Sequence, residues 1–302
     1  MNKQLIRSLM VLAVSSLAAC GGGSSSGSDT PKTGQLKLSI TDAPVDDAKH
    51  VYITITGVTL KKGGDSPLQN VSISPELRVD LLALSNGTSE LLFTDTITSG
   101  QYEWARFQLK DDAQIVWLDD STDDLALPTQ NELKTSGNFN VPQDGLAQYT
   151  VDWDLRKSIV ETGNSGSYKL KPVLHLRDDT QVGFVEGSVD STFLSTNCNQ
   201  QGDIAALYLY SGHDITPGEM GGTGEDPIAS VKLANDQHFF LGMLNPGNYT
   251  LALTCDAGLD TAEDDSPTVI DFPGKAEIVV AQGQAAALDA GDYPFLEYIP
   301  VP

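Results

Sequence analysis

The stretch GQLKLSITDAPVDDAKHVYITITGV, residues 34–58, decides the fold class. Leu36, Leu38 and Ile40 alternate with Gln35, Lys37 and Ser39, the period of two that marks a strand with one buried face. Thr41-Asp42-Ala43-Pro44 interrupts the run, because Asp and Pro favour a turn. Val51, Ile53 and Ile55 resume the alternation, and Gly57 shifts its phase onto Val58 and Leu60, as a β-bulge does. Two such strands in succession, with no helical period between them, point to an all-β chain.

The same signature continues outward. Over residues 100–110, Glu103, Ala105, Phe107 and Leu109 are expected on one face of a strand, with Tyr102, Trp104, Arg106 and Gln108 on the other. Residues 115–118 and 125–127 flank an acidic, hairpin-like turn at 119–124. Tyr149, Val151, Trp153 and Leu155 alternate, as do Tyr168, Leu170, Pro172, Leu174 and Leu176. Pro172 there implies an edge or a bulge. The apolar stretch 77–82 carries no clear period, and helix is expected only as short turns, one of them near 155–160. Past Val182, strands are readable at 182–189, 204–210, 228–233, 238–241, 249–255, 276–280 and 286–289. Such a series with Gly, Pro and Asn turns suggests a Greek-key sandwich. The chain of 302 residues is long enough for two cores, and reads as two β-sandwich-like domains in series, 34–180 and 181–302.

Ahead of them lies an address. Lys3 and Arg7 precede an apolar run at 9–19, shorter than the roughly 20 residues a spanning helix needs. Leu17-Ala18-Ala19-Cys20 closes it and resembles the lipobox cut by lipoprotein signal peptidase. Residues 1–19 are thereby expected to be a lipoprotein signal peptide, and Cys20 the acylated residue that holds the chain to a membrane. The rival is an ordinary secretory signal with a chance cysteine. Several acyl chains on one residue give stable anchoring, which one chain does not. Residues 20–33 form the lipidated cysteine and a flexible linker, since the Gly/Ser run at 21–28 has no apolar side chain to bury. By analogy with lipoprotein sorting in Gram-negative bacteria, Gly21 after the cysteine favours the outer membrane. Cys198 and Cys255 remain, and in an oxidising compartment they are expected to pair. A zinc site is the alternative, but it lacks a Cys-x-x-Cys spacing or a neighbouring His.

Two longer patterns carry a family resemblance. Gly34-x-Leu36-x-Leu38-x-x-Thr41-Asp42-Ala43-Pro44 with Val51-x-Ile53-Thr54-Ile55 resembles the opening of a bacterial lipoprotein family known as domain of unknown function 4382. Gly100-x-Tyr102-x-x-x-Arg106-x-x-Leu109 and Tyr168-x-Leu170-Lys171-Pro172-Val173-Leu174 look like its later parts. The resemblance implies a surface or periplasmic lipoprotein and brings no catalytic residues. In the second domain, Val185-x-Gly187-x-Val189 looks like the start of a carboxypeptidase-regulatory-like (transthyretin-like) sandwich. Phe239-x-Leu241-x-x-Leu244-x-Pro246-Gly247-x-Tyr249-x-Leu251 looks like its hairpin. That resemblance implies a stalk or accessory module. An insertion around 198–203 departs from the compact pattern, and the cysteine pair is expected to fasten it.

The charge narrows function. Acids number 41 against 18 bases, a net −23, and such a surface repels nucleic acid. It reads either as solubility outside the cell or as divalent-cation binding. The candidate calcium loop holds Asp256, Asp260, Glu263, Asp264 and Asp265. Carboxylates crowded on a flexible loop suit that ion, although Gly258 stands where an EF-hand loop has its second ligand. A solvated acidic loop is the alternative, and Asp42, Asp46 and Asp47 form a weaker second cluster. Asp152 and Asp154, two apart on a strand, share a face and offer the carboxylate pair a glycosidase uses, or simply a polar outer side. His50, His175, His213 and His238 are scattered without metal spacing. Tyr102, Trp104 and Arg106 form a candidate ligand surface, with burial of the tryptophan as the competing reading. No nucleophile elbow, phosphate loop or dinucleotide fingerprint appears, and no cofactor is implied. Two functions stand: a non-catalytic binding or structural module of the cell envelope with an envelope protein or glycan as partner, and an envelope glycan hydrolase acting through Asp152 and Asp154.

Overall fold

A computed structural model describes residues 31–43, 48–84, 87–128, 132–135, 137–162, 167–200, 203–222, 224–233, 235–260, 270–288 and 293–297. Residues 32–302 form one compact unit. The expected signal peptide at 1–19, Cys20, the Gly/Ser run, Asp46, Asp47, Glu263, Asp264 and Asp265 lie outside the described residues.

The architecture is all-β, as tandem sandwich-like halves. Strand Thr33–Ala43 runs in the middle of a four-stranded sheet, parallel to Leu146–Asp154 and antiparallel to Glu90–Thr98, with Leu174–Asp178 beyond Leu146–Asp154. A parallel pair needs a crossover, and the intervening hundred or so residues supply it as most of a second sheet. That nine-stranded sheet centres on Ala48–Lys62, flanked by Gly100–Leu109, Gln114–Trp117 and Leu68–Asp80. Leu36, Leu38 and Ile40 from one sheet and Val51, Ile53, Ile55, Val58 and Leu60 from the other meet in a single apolar core. The register slips at Gly57 on both sides of its strand, so the phase shift in the sequence is a bulge. A β-carbon at Gly57 would sit 2.9 Å from the Val71 carbonyl oxygen, and one at Gly34 only 2.1 Å from that of Pro142. Both positions need glycine for close approach.

Two expectations change here. A second slip pairs Lys61 with Trp104 but Lys62 with Tyr102, leaving Glu103 extra. Tyr102 therefore faces the core with Ala105 and Phe107, fully buried, instead of sharing the face of Trp104. Its hydroxyl donates to the Thr98 carbonyl at 2.6 Å and its ring stacks on Phe139 at 4.8 Å. At Pro172 the chain does more than form an edge. Strand Tyr168–Leu170 belongs to the nine-stranded sheet and Leu174–Asp178 to the four-stranded one, so the proline marks a switch between sheets.

The second half has its own apolar core, from Val185 to Phe295. A three-stranded sheet, His238–Leu244, Gly183–Val189 and Leu296–Glu297, faces a five-stranded one ordered Ala229–Lys232, Ala206–Ser211, Gly247–Thr254, Gly274–Val280 and Ala287–Leu288. Pro246-Gly247 does not close a hairpin, because the strands on either side of it belong to different sheets. It arches between them, and Phe239, Leu241, Tyr249 and Leu251 still meet in one core. Strand Ala206–Ser211 is buried on both faces, and Tyr208 and Tyr210 enter a separate small cluster with Met220 and Ala257. A short helix, Ser191–Asn197, opens on Asp190, whose carboxylate accepts from the Phe193 amide at 2.7 Å. It ends at Cys198, which is disulfide-bonded to Cys255.

That bridge closes a separation of 57 residues, and in the chain-entropy picture a loop of that size is worth about 4 kcal/mol. Exported protein should therefore show neither thiol to an alkylating reagent until reduced. Cys198→Ala with Cys255→Ala should lower the unfolding free energy by roughly 2–4 kcal/mol, read by denaturant titration. Free thiols in the native protein would contradict the pairing.

Candidate functional site

The pair singled out on strand Leu146–Asp154 leads to a cavity. Trp153 is fully buried in the first core, and alternation then turns Asp152 and Asp154 to the opposite side of the sheet. That side is covered by the second sandwich. Between them lies a cleft of about 280 Å³. Its floor carries Asp42, Asp152, Asp154, His175, Arg177 and Asp179. Its roof carries Val182, Phe184, Ile228, Val231, Phe240 and Leu244. Past His175 and Arg177 the hollow continues to Lys157, Asp226 and Tyr249.

A compact knot fixes the floor. The Ser158 hydroxyl, fully buried, donates to the Asp154 carbonyl at 2.5 Å and accepts from Trp153 Nε1 at 3.2 Å and from the Val173 amide at 3.0 Å. The Asp154 carboxylate caps the turn Leu155–Ser158 by accepting from the Lys157 amide at 3.2 Å. Lys157 then reaches across, with Nζ 3.2 Å from Asp226 Oδ2 and bonded to the Pro227 carbonyl. The segment that joins the two halves is tied as well: Gln282 Nε2 donates to the Thr180 carbonyl at 2.7 Å.

The electrostatics are those of carboxylates under an apolar lid. Burial pushes the Asp152 carboxyl up to about 6, with the Asp154 charge adding to the rise and Arg177, 3.8 Å away through Nε, opposing it. Burial also raises Asp179, whose partners Thr150 and Lys37 pull the other way. His175, directly opposite Asp152 across the strand pair, is lowered first by burial and then by Arg177 and Lys157.

The other candidate residues lie apart from the cleft. Trp104 is half-buried on the outer face of its sheet, with the Arg106 guanidinium 4.5 Å and Lys134 Nζ 5.0 Å from its ring centre. Of the acidic loop, Asp256 Oδ2 accepts from the Asp271 amide at 3.1 Å. Asp260 is buried, taking bonds from the Tyr208 hydroxyl at 2.5 Å and the Met220 amide at 3.2 Å. Both carboxylates have protein donors. No group of three or more His, Cys, Asp or Glu among the described residues could hold a metal ion. His50 pairs with Asp80 at 2.6 Å and His238 with Glu186 at 3.0 Å. No described helix is long and apolar enough to cross a membrane.

With this geometry in view, one comparison bears directly on the first half. Residues 33–172 match the family model of a domain of unknown function, DUF4382. The DUF4382 match takes in Asp152, Asp154 and the Ser158 knot but stops short of His175, Arg177 and Asp179, so the cleft is built jointly by that domain and the later part of the chain. No curated protein matches the chain. Among solved structures, a streptococcal ancillary pilin aligns over 84% of this chain and 60% of its own length, at 13% identity and a TM-score of 0.19. A minor pilin of Streptococcus agalactiae aligns over 88% and 97%, at 9% identity and 0.19. A shaft pilin of Lactobacillus rhamnosus GG aligns over 84% and 95%, at 8% identity and 0.21. The chain thus spans about 60% of the length of the first of these pilins, and likeness of this grade carries nothing about function.

Asp152 gives the site a pH signature. Its folded-state value of about 6 lies above the ordinary 3.8, so between those limits the folded chain holds more protons than the unfolded one. Stability contributed at this residue therefore falls as pH rises through that window. Asp152→Asn should remove the decline. It should also stabilise the protein at pH 7 by up to about 3 kcal/mol, less where water screens the group. Denaturant titrations of both proteins at the two ends of the window check this.

Proposed function

We propose that the chain is a cell-envelope lipoprotein, anchored through acylated Cys20 and sorted to the outer membrane. Its two sandwich domains, 34–180 and 181–302, act as a non-catalytic binding module for an envelope protein or glycan, with the cleft between them as the binding site. The second domain is read as a carboxypeptidase-regulatory-like sandwich serving as the lid of that site. The observation that carries the non-catalytic reading is the commitment of Asp154. A glycosidase needs two carboxylates free to face each other across a scissile bond, whereas Asp154 caps a turn and Asp152 lies beside Arg177.

Two experiments test this reading. Cys20→Ser should abolish incorporation of labelled palmitate and leave the precursor uncut, whereas equal labelling of wild type and variant removes the anchor. On a panel of envelope glycans the purified protein should show no turnover. Hydrolysis lost in Asp152→Asn would instead establish the hydrolase.

A further inference from the structure

We infer that the cleft between the sandwiches takes a short extended segment of another polypeptide, added as a strand to the open edge of His238–Leu244. The inference rests on the cleft being the binding site and chooses protein over glycan as its occupant.

The first ground is which residues line the cleft. Successive residues of a strand point to opposite faces, so a cavity against a face meets every second residue. The floor obeys that rule, with Asp152 and Asp154 from one strand and His175, Arg177 and Asp179 from the next and its end. The roof does not, because every residue of 228–231 and of 240–244 lines it. A cavity that meets consecutive residues runs along a strand's edge. Both segments belong to such edges: Ala229–Lys232 ends the five-stranded sheet and His238–Leu244 the three-stranded one. The adjoining hollow keeps to the same line, meeting residues 226–228 on one side and 244–245 on the other.

The second ground is the bonding of the backbone at that edge. The Val189 amide donates to the Gln237 carbonyl at 3.0 Å, and Gly187 and Val185 lie opposite Phe239 and Leu241. Bonded pairs in an antiparallel ladder recur at every second residue. Phe239 and Leu241 therefore turn their amides and carbonyls toward Gly183–Val189, whereas Phe240 and Gly242 turn theirs outward. No backbone hydrogen bond among the described residues reaches Phe240 or Gly242 on that side. His238, by contrast, donates its amide to Asp236 Oδ1 at 3.2 Å. An open row of amides and carbonyls is the template that another strand completes, and a sugar has no matching row. Gly242 leaves the backbone there bare of side chain. Met243, at a φ of 56°, ends the regular edge, so the added segment is short.

The surroundings suit the remaining groups of such a segment. Its far edge looks onto the floor, where Asp152 and Arg177 keep 24% and 22% of their side-chain exposure. A carboxylate accepts from an amide and a guanidinium donates to a carbonyl, so both kinds of backbone group find a partner without any demand on net charge. Phe239 and Leu241 face the second core, which puts Phe240 on the opposite face, stacked on Phe184 at 5.4 Å. Every second side chain of the added strand lies along that aromatic pair. The occupant is thus an extended, uncharged peptide with apolar residues at alternate positions.

The test uses the full chain in detergent micelles. The probes are peptides of about seven residues, a usual strand length, alternating threonine with valine, leucine or phenylalanine. Residue-resolved hydrogen exchange is the readout. In the free protein the amides of Phe239 and Leu241 should be protected, and those of Phe240 and Gly242 should exchange fast. Bound peptide should slow Phe240 and Gly242 at least about tenfold. Methylating the peptide's own amides at every second residue should weaken binding at least about tenfold in one phase and far less in the other, because a strand pairs through alternate residues. Ile228→Trp, at an exposed position that lines both hollows, should weaken every peptide. Protection of Phe240 and Gly242 in the free protein would overturn strand addition, as would peptide binding that leaves their exchange unchanged. Equal weakening by methylation in either phase would overturn it too. Binding of none of the peptides would overturn the inference. If envelope oligosaccharides then bound and Ile228→Trp abolished that binding, the cleft would still stand as the binding site, with glycan as its occupant.

Discussion

Alternation along strand Leu146–Asp154 is the constraint on which the rest of the molecule depends. A strand has two faces and no third, so burying Trp153 in the first core obliges Asp152 and Asp154 to leave on the other side. In an isolated sandwich that side would meet water, and the acids would be ordinary surface residues. Here Leu174–Asp178 extends the same face with His175 and Arg177, and a second sandwich lies over it. The polar face of one domain becomes the floor of an internal cleft, and carboxylates suited to solvent are held beneath phenylalanine and isoleucine.

The Ser158 knot makes that arrangement definite. One buried hydroxyl gathers the Trp153 indole, the Asp154 carbonyl and the Val173 amide. It thereby couples the end of one strand to the point where the chain changes sheets. The neighbouring Lys157 spans to the second half, and its ammonium is satisfied there by Asp226 and Pro227. Placement of the cleft thus follows from a few short-range bonds around residues 153–158, set between two independent apolar cores.

Much of the fold is legible in the sequence because strands announce themselves locally. Leu36, Leu38 and Ile40 mark the first strand, Gly57 the bulge, and residues 114–126 the hairpin. The features that escape have no local signal. Nothing at Glu103 marks a bulge, so simple alternation puts Tyr102 on the wrong face. Pro246-Gly247 reads alike for a hairpin and an arch, since both bring Phe239 and Tyr249 together. Helix Ser191–Asn197 is too short to show a period, although Asp190 three residues before Phe193 is the cap that could have revealed it. Asp152 and Asp154 are visible as a pair, but the roof over them comes from residues some 30 to 90 positions later in the chain, and no pattern in the sequence brings those segments together.

The position of the first strand has a mechanical consequence. Thr33–Ala43 is the first described strand of the compact unit, and it lies between two partners in mid-sheet. Any tension transmitted from the chain ahead of it acts along a strand whose hydrogen bonds run across that direction, perpendicular on the antiparallel side toward Glu90–Thr98 and slanted on the parallel side toward Leu146–Asp154. Those bonds are loaded together in shear, whereas a strand at a sheet's edge pulled sideways would release them one after another. Detaching it would also drag Leu36, Leu38 and Ile40 out of the core. Entry of the chain at this point makes the first half hard to peel open by a pull on the residues ahead of it.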